Sequence, residues 1–188
     1  MKIKSSTSPT ATPQNRRPLK RIAGLALALC AAVLVTPSLN AAPKDTLNAA
    51  DVKFIKEEAA AGRSVVKLAE LAVQKAANPD VKALAQTLVT DHTGANSELS
   101  ALAIKKGVDI SAVIDPDTAK TFQDLEKVSG SEFDKAFLNA AVKGHQTCVE
   151  NFQSASKEAQ DGDLKMWVNK MTPVLQGHLA LAEKLQSK

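Results

Sequence analysis

Between residue 48 and the C-terminus, apolar positions return every three or four residues, the spacing that lines up side chains along one side of an α-helix. A first helix is predicted over 48–77, with Phe54, Ala61, Val65, Leu68 and Ala72 on one side. Asn78-Pro79 stops it and opens the next, Asn78 capping and Pro79 standing where the missing N–H costs nothing. This second helix, 79–106, carries Val81, Leu84, Leu88, Ala95, Leu99 and Leu102, and Gly107 ends it. After the longer connection "VDISAVIDPD", Pro116 opens a short helix to 128. Ser131 is then expected to cap a helix running to 159, with Phe133, Phe137, Ala140, Ala141, Cys148 and Phe152 on its stripe. "QDGD" reads as a tight turn, and Asp163 as the cap of a last helix, 164–186. Its stripe holds Leu164, Trp167, Val168, Met171, Val174, Leu175, Leu181, Ala182 and Leu185, and Pro173 in its interior should kink it.

Four long helices, short links within each pair and a longer link between the pairs predict an all-α, ferritin-like four-helix bundle. It consists of two antiparallel helix pairs, with a short extra helix in the crossover. "DVKALA" at Asp80 and "DLKMWV" at Asp163 form a faint repeat that opens the second helix of each pair.

Residues 1–42 follow another pattern. Lys2, Lys4, Arg16, Arg17, Lys20 and Arg21 precede a short apolar run, 22–35, and the small-residue stretch "TPSLNAAP". This is the layout of a secretory signal peptide, with cleavage expected near Ala41 or Ala42. The run is shorter than the roughly 20 apolar residues a membrane helix needs. "LALC" at Cys30 is a poor lipoprotein match because Leu29 is large, and "NRRPLK" is a loose twin-arginine match. Setting the leader aside changes the charge. The chain has 24 Lys and Arg against 20 Asp and Glu. The domain expected over 43–188 keeps 18 basic and 20 acidic residues, a net charge of −2. Without a basic stripe, and with no Tyr, nothing points to nucleic acid. Cys148 is then the single cysteine, expected as a small buried thiol with no disulfide.

The chemistry lies in the three histidines. His92, His145 and His178 each fall on the apolar stripe of a different helix. His145 lies 17 residues before Gly162 and His178 lies 16 after it, which puts them at one depth in an antiparallel pair. His92 lies near the middle of its own helix, and Gly144 and Gly177 directly precede the other two, which predicts space at mid-bundle. Such a cluster is either a hydrogen-bonded structural layer, the commoner outcome, or a metal or cofactor site. A di-iron centre is not expected. That chemistry takes Glu-x-x-His on two helices, and here Val89, Val142 and Leu175 stand three residues before the histidines. A single Zn²⁺, Cu²⁺ or Ni²⁺ suits imidazole ligands better. Asp91 is a weaker candidate that could orient an imidazole of a neighbouring helix. Glu58 and Glu70 are weaker still, expected on a solvated face. No nucleophile motif, phosphate loop or Cys-x-x-Cys supports an enzyme.

"NPDVKALAQTLVTDHTGANSEL", "EFDKAFLNAAVKGH" and "MTPVLQGHLALAEKL" resemble the exported bacterial family called domain of unknown function 4142. The likeness runs from Val52 to Leu185, and Asp91-His92-Thr93 is its most specific element. The resemblance implies a ferritin-like fold and export to the periplasm, with some members labelled outer-membrane proteins, and implies no established activity. That family often has an acidic residue where Gly144 and Gly177 stand here, which weakens the case for metal in this chain. The expectation is therefore a non-catalytic periplasmic envelope protein, its bundle meeting an envelope partner or a second copy, with no membrane span in the mature chain. The alternative is a transition-metal-binding or redox-protective bundle built on the histidine cluster.

Overall fold

The computed structural model describes residues 46–110 and 116–188. The signal-peptide reading of residues 1–42, including Cys30 and the cleavage site, lies outside the described residues. The described residues all belong to one compact unit, Asn40–Lys188. They form five helices and no β-strand: α1 Ala49–Lys75, α2 Pro79–Lys105, α3 Pro116–Glu126, α4 Gly130–Glu158 and α5 Gly162–Gln186. α1 packs along α2 and α4 along α5, and the two pairs meet mainly through α2 with α5 and α1 with α4. This is the ferritin-like bundle of two hairpins, with α3 in the crossover. Among the described residues no helix is long and apolar enough to cross a membrane.

Two apolar cores fill the ends. One surrounds the α1–α2 turn and holds Leu84, Leu88, Phe133 and Phe137, with Ala182 and Leu185 from α5. The other surrounds the α4–α5 turn and holds Ile55, Leu99, Phe152, Leu164 and Val168. Carboxylates of distant helices secure the turns. Asp134 of α4 accepts from the backbone N–H groups of Ala77 (3.0 Å) and Asn78 (2.8 Å) at the first turn. Asp51 of α1 accepts from those of Gln160 and Asp161 (both 3.3 Å) at the second. Each satisfies donors that the chain reversal would otherwise leave buried and unpaired.

Several local expectations change. Asn78 does cap α2, accepting from Asp80 N at 2.8 Å, and Gly107 ends it at φ +69°. The cap of α5, however, is Asp161, which accepts from Leu164 N at 3.0 Å, not Asp163. Asp163 instead meets Lys105 (2.7 Å) and Lys106 (3.0 Å) from the end of α2, and Lys106 also pairs with the fully buried Asp161 at 2.6 Å. Opposite ends of two helix dipoles meet there with compensating charge. α4 begins at Gly130, after Ser129 rather than Ser131, because Gly130 makes the turn at φ +59°. The buried line of α1 is rotated from the expected stripe. Ile55, Glu58, Ala59, Gly62 and Ala69 face inward together with the expected Ala72, Ala61 is exposed, and Phe54, Val65 and Leu68 are only partly buried. Ala-rich segments give weak facing signals, and contact with α2 decides. Leu181 of α5 is likewise 38 % exposed. α5 runs through Pro173, which is exposed, and Asn169, whose carbonyl the proline cannot bond, is exposed as well.

Candidate metal centre

Between the two apolar cores lies a polar layer. α2 contributes His92, α4 His145 and α5 His178, at 7, 3 and 5 % exposure. Every pair of rings has its centroids 5.5 Å apart, so the three form an equilateral triangle. One potential ligand atom from each lies within 4.8 Å of the other two. The three expected histidines therefore meet at mid-bundle.

Hydrogen bonds fix which nitrogen is bare. His145 Nδ1 lies 2.9 Å from the carbonyl of Ala141. A carbonyl only accepts, so Nδ1 carries the proton and Nε2 keeps its lone pair. His178 Nε2 lies 2.9 Å from Asp91 Oδ2. The carboxylate accepts there, so in the neutral ring the lone pair is on Nδ1. Asp91 thus orients an imidazole of a neighbouring helix. The bare atoms, His145 Nε2 and His178 Nδ1, are buried without a hydrogen-bond partner, as is His92 Nε2. Burial, then the charges that His145 and His178 would carry, hold His92 down to about 3. Burial also holds His145 below the ordinary imidazole range, against its bond to Ala141. These two rings are neutral at physiological pH, the form that can ligate.

The layer borders a cavity of about 700 Å³. His92 and His145 line it, as do Leu99, Phe137, Phe152 and Trp167. Glu58 lies on this wall too, against the expectation of a solvated face, because the inward line of α1 passes through it. Cys148 donates its S–H to Glu58 Oε2 at 3.5 Å. Burial raises the Glu58 carboxyl to about 7, against hydrogen bonds from Cys148 and Asn151 that pull it down. Burial, with Glu58 beside it, pushes the Cys148 thiol well above the thiol range, so it is a protonated donor. Glu70 is exposed, on the solvated face expected for it, and takes no part.

Of the two glycines expected to open space, Gly144 lines the cavity and Gly177 does not. Both are exposed, and a Cβ on either would meet nothing within 4 Å. Gly62 is the glycine that matters: a Cβ there would stand 2.1 Å from Asn96 Oδ1. Missed by sequence reasoning are Asn96, four residues after His92, and the Glu58–Cys148 pair. For Asn96 the periodicity alone is available as a signal, since it falls one helical turn from His92.

Among solved structures, a DUF305 fragment from Deinococcus radiodurans superposes with a TM-score of 0.68 at 13 % identity, covering 76 % of this chain and 98 % of that one. The protein CopM in its Cu(II)-bound form gives a TM-score of 0.64 at 16 % identity, covering 73 % of this chain and 95 % of that one. Its Ag-bound form gives 0.59 at 18 %, covering 71 % and 93 %. At these identities the likeness shows the fold. No curated protein matches the sequence. The family model described as "Domain of unknown function (DUF4142)" matches residues 36–185, and the chain belongs to that family.

Proposed function

We propose that this chain binds one divalent transition-metal ion, copper or zinc, through His92 Nε2, His145 Nε2 and His178 Nδ1, and does so as an exported protein. The observation that carries the reading is three buried ring nitrogens without a partner, on rings that each bring one potential ligand atom within 4.8 Å of the others. A purely structural layer would spend its nitrogens on one another, and a buried polar atom left unpaired costs about 1–3 kcal/mol. Three such atoms in one layer are a cost that a bound cation would offset. Metal–imidazole bonds of about 2.0–2.1 Å bring ligand nitrogens to roughly 3.5 Å from one another. The triangle therefore tightens modestly around an ion. Asp91 serves as the carboxylate behind a ligating histidine, and the Ala141 carbonyl as the acceptor behind another. The Cu(II)- and Ag-bound states named for CopM lend the reading a parallel in a similar fold. Export rests on the pattern of residues 1–42. Intact-mass measurement of a periplasmic extract should find a chain beginning near Ala42 or Pro43.

The test is calorimetric titration of the purified protein with Cu²⁺ and Zn²⁺. One equivalent should bind, and His145→Gln and His178→Gln should each lose at least a hundredfold in affinity. Asp91→Asn should lose about 10–100-fold, as outer partners of metal ligands do. Undiminished binding in a variant lacking all three histidines would sink the reading.

A further inference from the structure

The cavity beside the triad is more than spare volume. Two of the three unpartnered nitrogens, His92 Nε2 and His145 Nε2, belong to residues on its wall. Three protein ligands with an accessible fourth position are the arrangement of metal sites that take an exogenous ligand. The rest of the wall describes that ligand. It is largely apolar and includes the aromatic rings of Phe137, Phe152 and Trp167. Phe152 and Trp167 lie 5.5 Å apart between centroids. The Trp167 indole N–H is a buried donor without a partner. Glu58 is the buried carboxyl among the wall residues. Cys148, its partner, lies three residues from His145, about 4.5 Å along the helix axis. The cavity size is ordinary for a small organic molecule.

Resting on the metal reading above, we propose that this cavity binds a small aromatic hydroxyl compound, a phenol, with its oxygen on the metal ion and its proton on Glu58. The ligand enters neutral: the wall carries Glu57 and Asp117 as well as Lys143, so it is not a basic site that would draw in an anion. Inside, its O–H bond breaks, the oxygen keeps the electron pair and bonds the metal, and the proton passes to the Glu58 carboxylate. Charge in the cavity is unchanged: a carboxylate is lost and a phenolate gained. A divalent ion held by three neutral imidazoles gains an anionic ligand. Glu58 suits the transfer because burial has made it a far better base than an ordinary carboxylate.

The experiment loads the full chain with one equivalent of Cu²⁺ and adds phenol. A phenolate-to-copper charge-transfer band in the visible is expected. Cyclohexanol, of similar size but not acidic, should produce none. Glu58→Gln should keep its copper and weaken the phenol band titration at least tenfold. Leu99→Phe, which extends a ring into the cavity, should weaken it similarly. A copper-loaded wild type that shows no band with phenol overturns the inference while leaving the metal site standing. An undiminished band in Glu58→Gln overturns the proton transfer. A wild type that takes up no copper overturns the metal reading itself. The wild-type comparison of phenol with cyclohexanol needs no variant to fold.

Discussion

The ends of this bundle and its middle are built by opposite rules. At the ends, Phe133, Leu84 and Leu164 are at most 1 % exposed among other hydrocarbons, and polar groups appear only where a turn needs capping. In the middle, three imidazoles present unpaired nitrogens, a carboxyl is driven to about 7, and a cavity remains. The ends contribute stability by burying apolar area, at about 25 cal/mol per Å². The middle opposes folding through each desolvated polar atom. A bundle of this size has core enough at its ends to carry a middle shaped for something else.

The difference should appear first in truncations. Phe133→Ala and Leu164→Ala, at positions 0 % exposed, should each cost about 3–5 kcal/mol. Leu68→Ala, half-buried on the cavity wall, should cost at or below about 2 kcal/mol, since its neighbours already face empty space. Urea unfolding of the three variants measures both. Equal costs at all three sites would mean that the middle is packed as tightly as the ends.

Titration comes next in size. His92 folds with its affinity for protons lowered, to about 3 from the ordinary 6.5. Between these values the unfolded chain binds the extra proton, so stability is complete above about 6.5 and is lost as pH falls toward 3. Glu58 works in the opposite direction. Its folded value is raised, to about 7 from 4.5, so its stability is complete below 4.5 and is lost as pH rises toward 7. His145, whose proton affinity is also lowered, adds to the His92 slope and against that of Glu58. The metal-free wild type should therefore gain stability with rising pH between 4.5 and 6.5, Glu58→Gln more steeply and His92→Gln less steeply. Each group contributes up to about 1.4 kcal/mol per pH unit. Denaturation midpoints for the three proteins from pH 4 to 8, with chelator present, decide it. Parallel curves would remove both groups from the titrating layer.

Much of this contrast is legible in the chain. The periods of α2, α4 and α5 place all three histidines on buried faces, and counting from Gly162 puts two at one level. The caps at Asn78 and Gly107 follow from residue type alone. What fails depends on partners distant in sequence. Asp161 and Asp163 are equally good caps on paper, and only the bundle shows Asp161 buried on Leu164 N while Asp163 meets Lys105 of α2. Glu58 looks solvated in the sequence because α1 is rich in alanine and charge, so its facing is set by packing against α2 and α4. The sequence shows Asp91 able to reach another helix, but only the bundle shows that His178 receives it.

The smallest expected effects concern the glycines, and they separate the inside of the middle from its outer surface. Alanine is preferred over glycine in a helix interior by about 0.5–1 kcal/mol, because glycine loses more backbone freedom on folding. Gly144 and Gly177 lie in α4 and α5, where an added methyl would have no neighbour within 4 Å, so each Gly→Ala change should gain about that much. Gly62 lies in α1 under the same propensity, yet its methyl would meet Asn96 Oδ1 at 2.1 Å. Asn96 lines the cavity, so its side chain has some room to turn away. The displacement should consume the propensity gain and leave Gly62→Ala destabilised by about 1 kcal/mol, at the mild end of overpacking. Adding Asn96→Ala should restore the gain, because it removes the obstruction and leaves only the helix preference. The double-mutant cycle then gives a coupling energy between residues 62 and 96 and none between 144 and 96. If Gly62→Ala stabilises as much as Gly144→Ala, the close approach of α1 to Asn96 is not a constraint, and the cavity wall is softer there than its geometry implies.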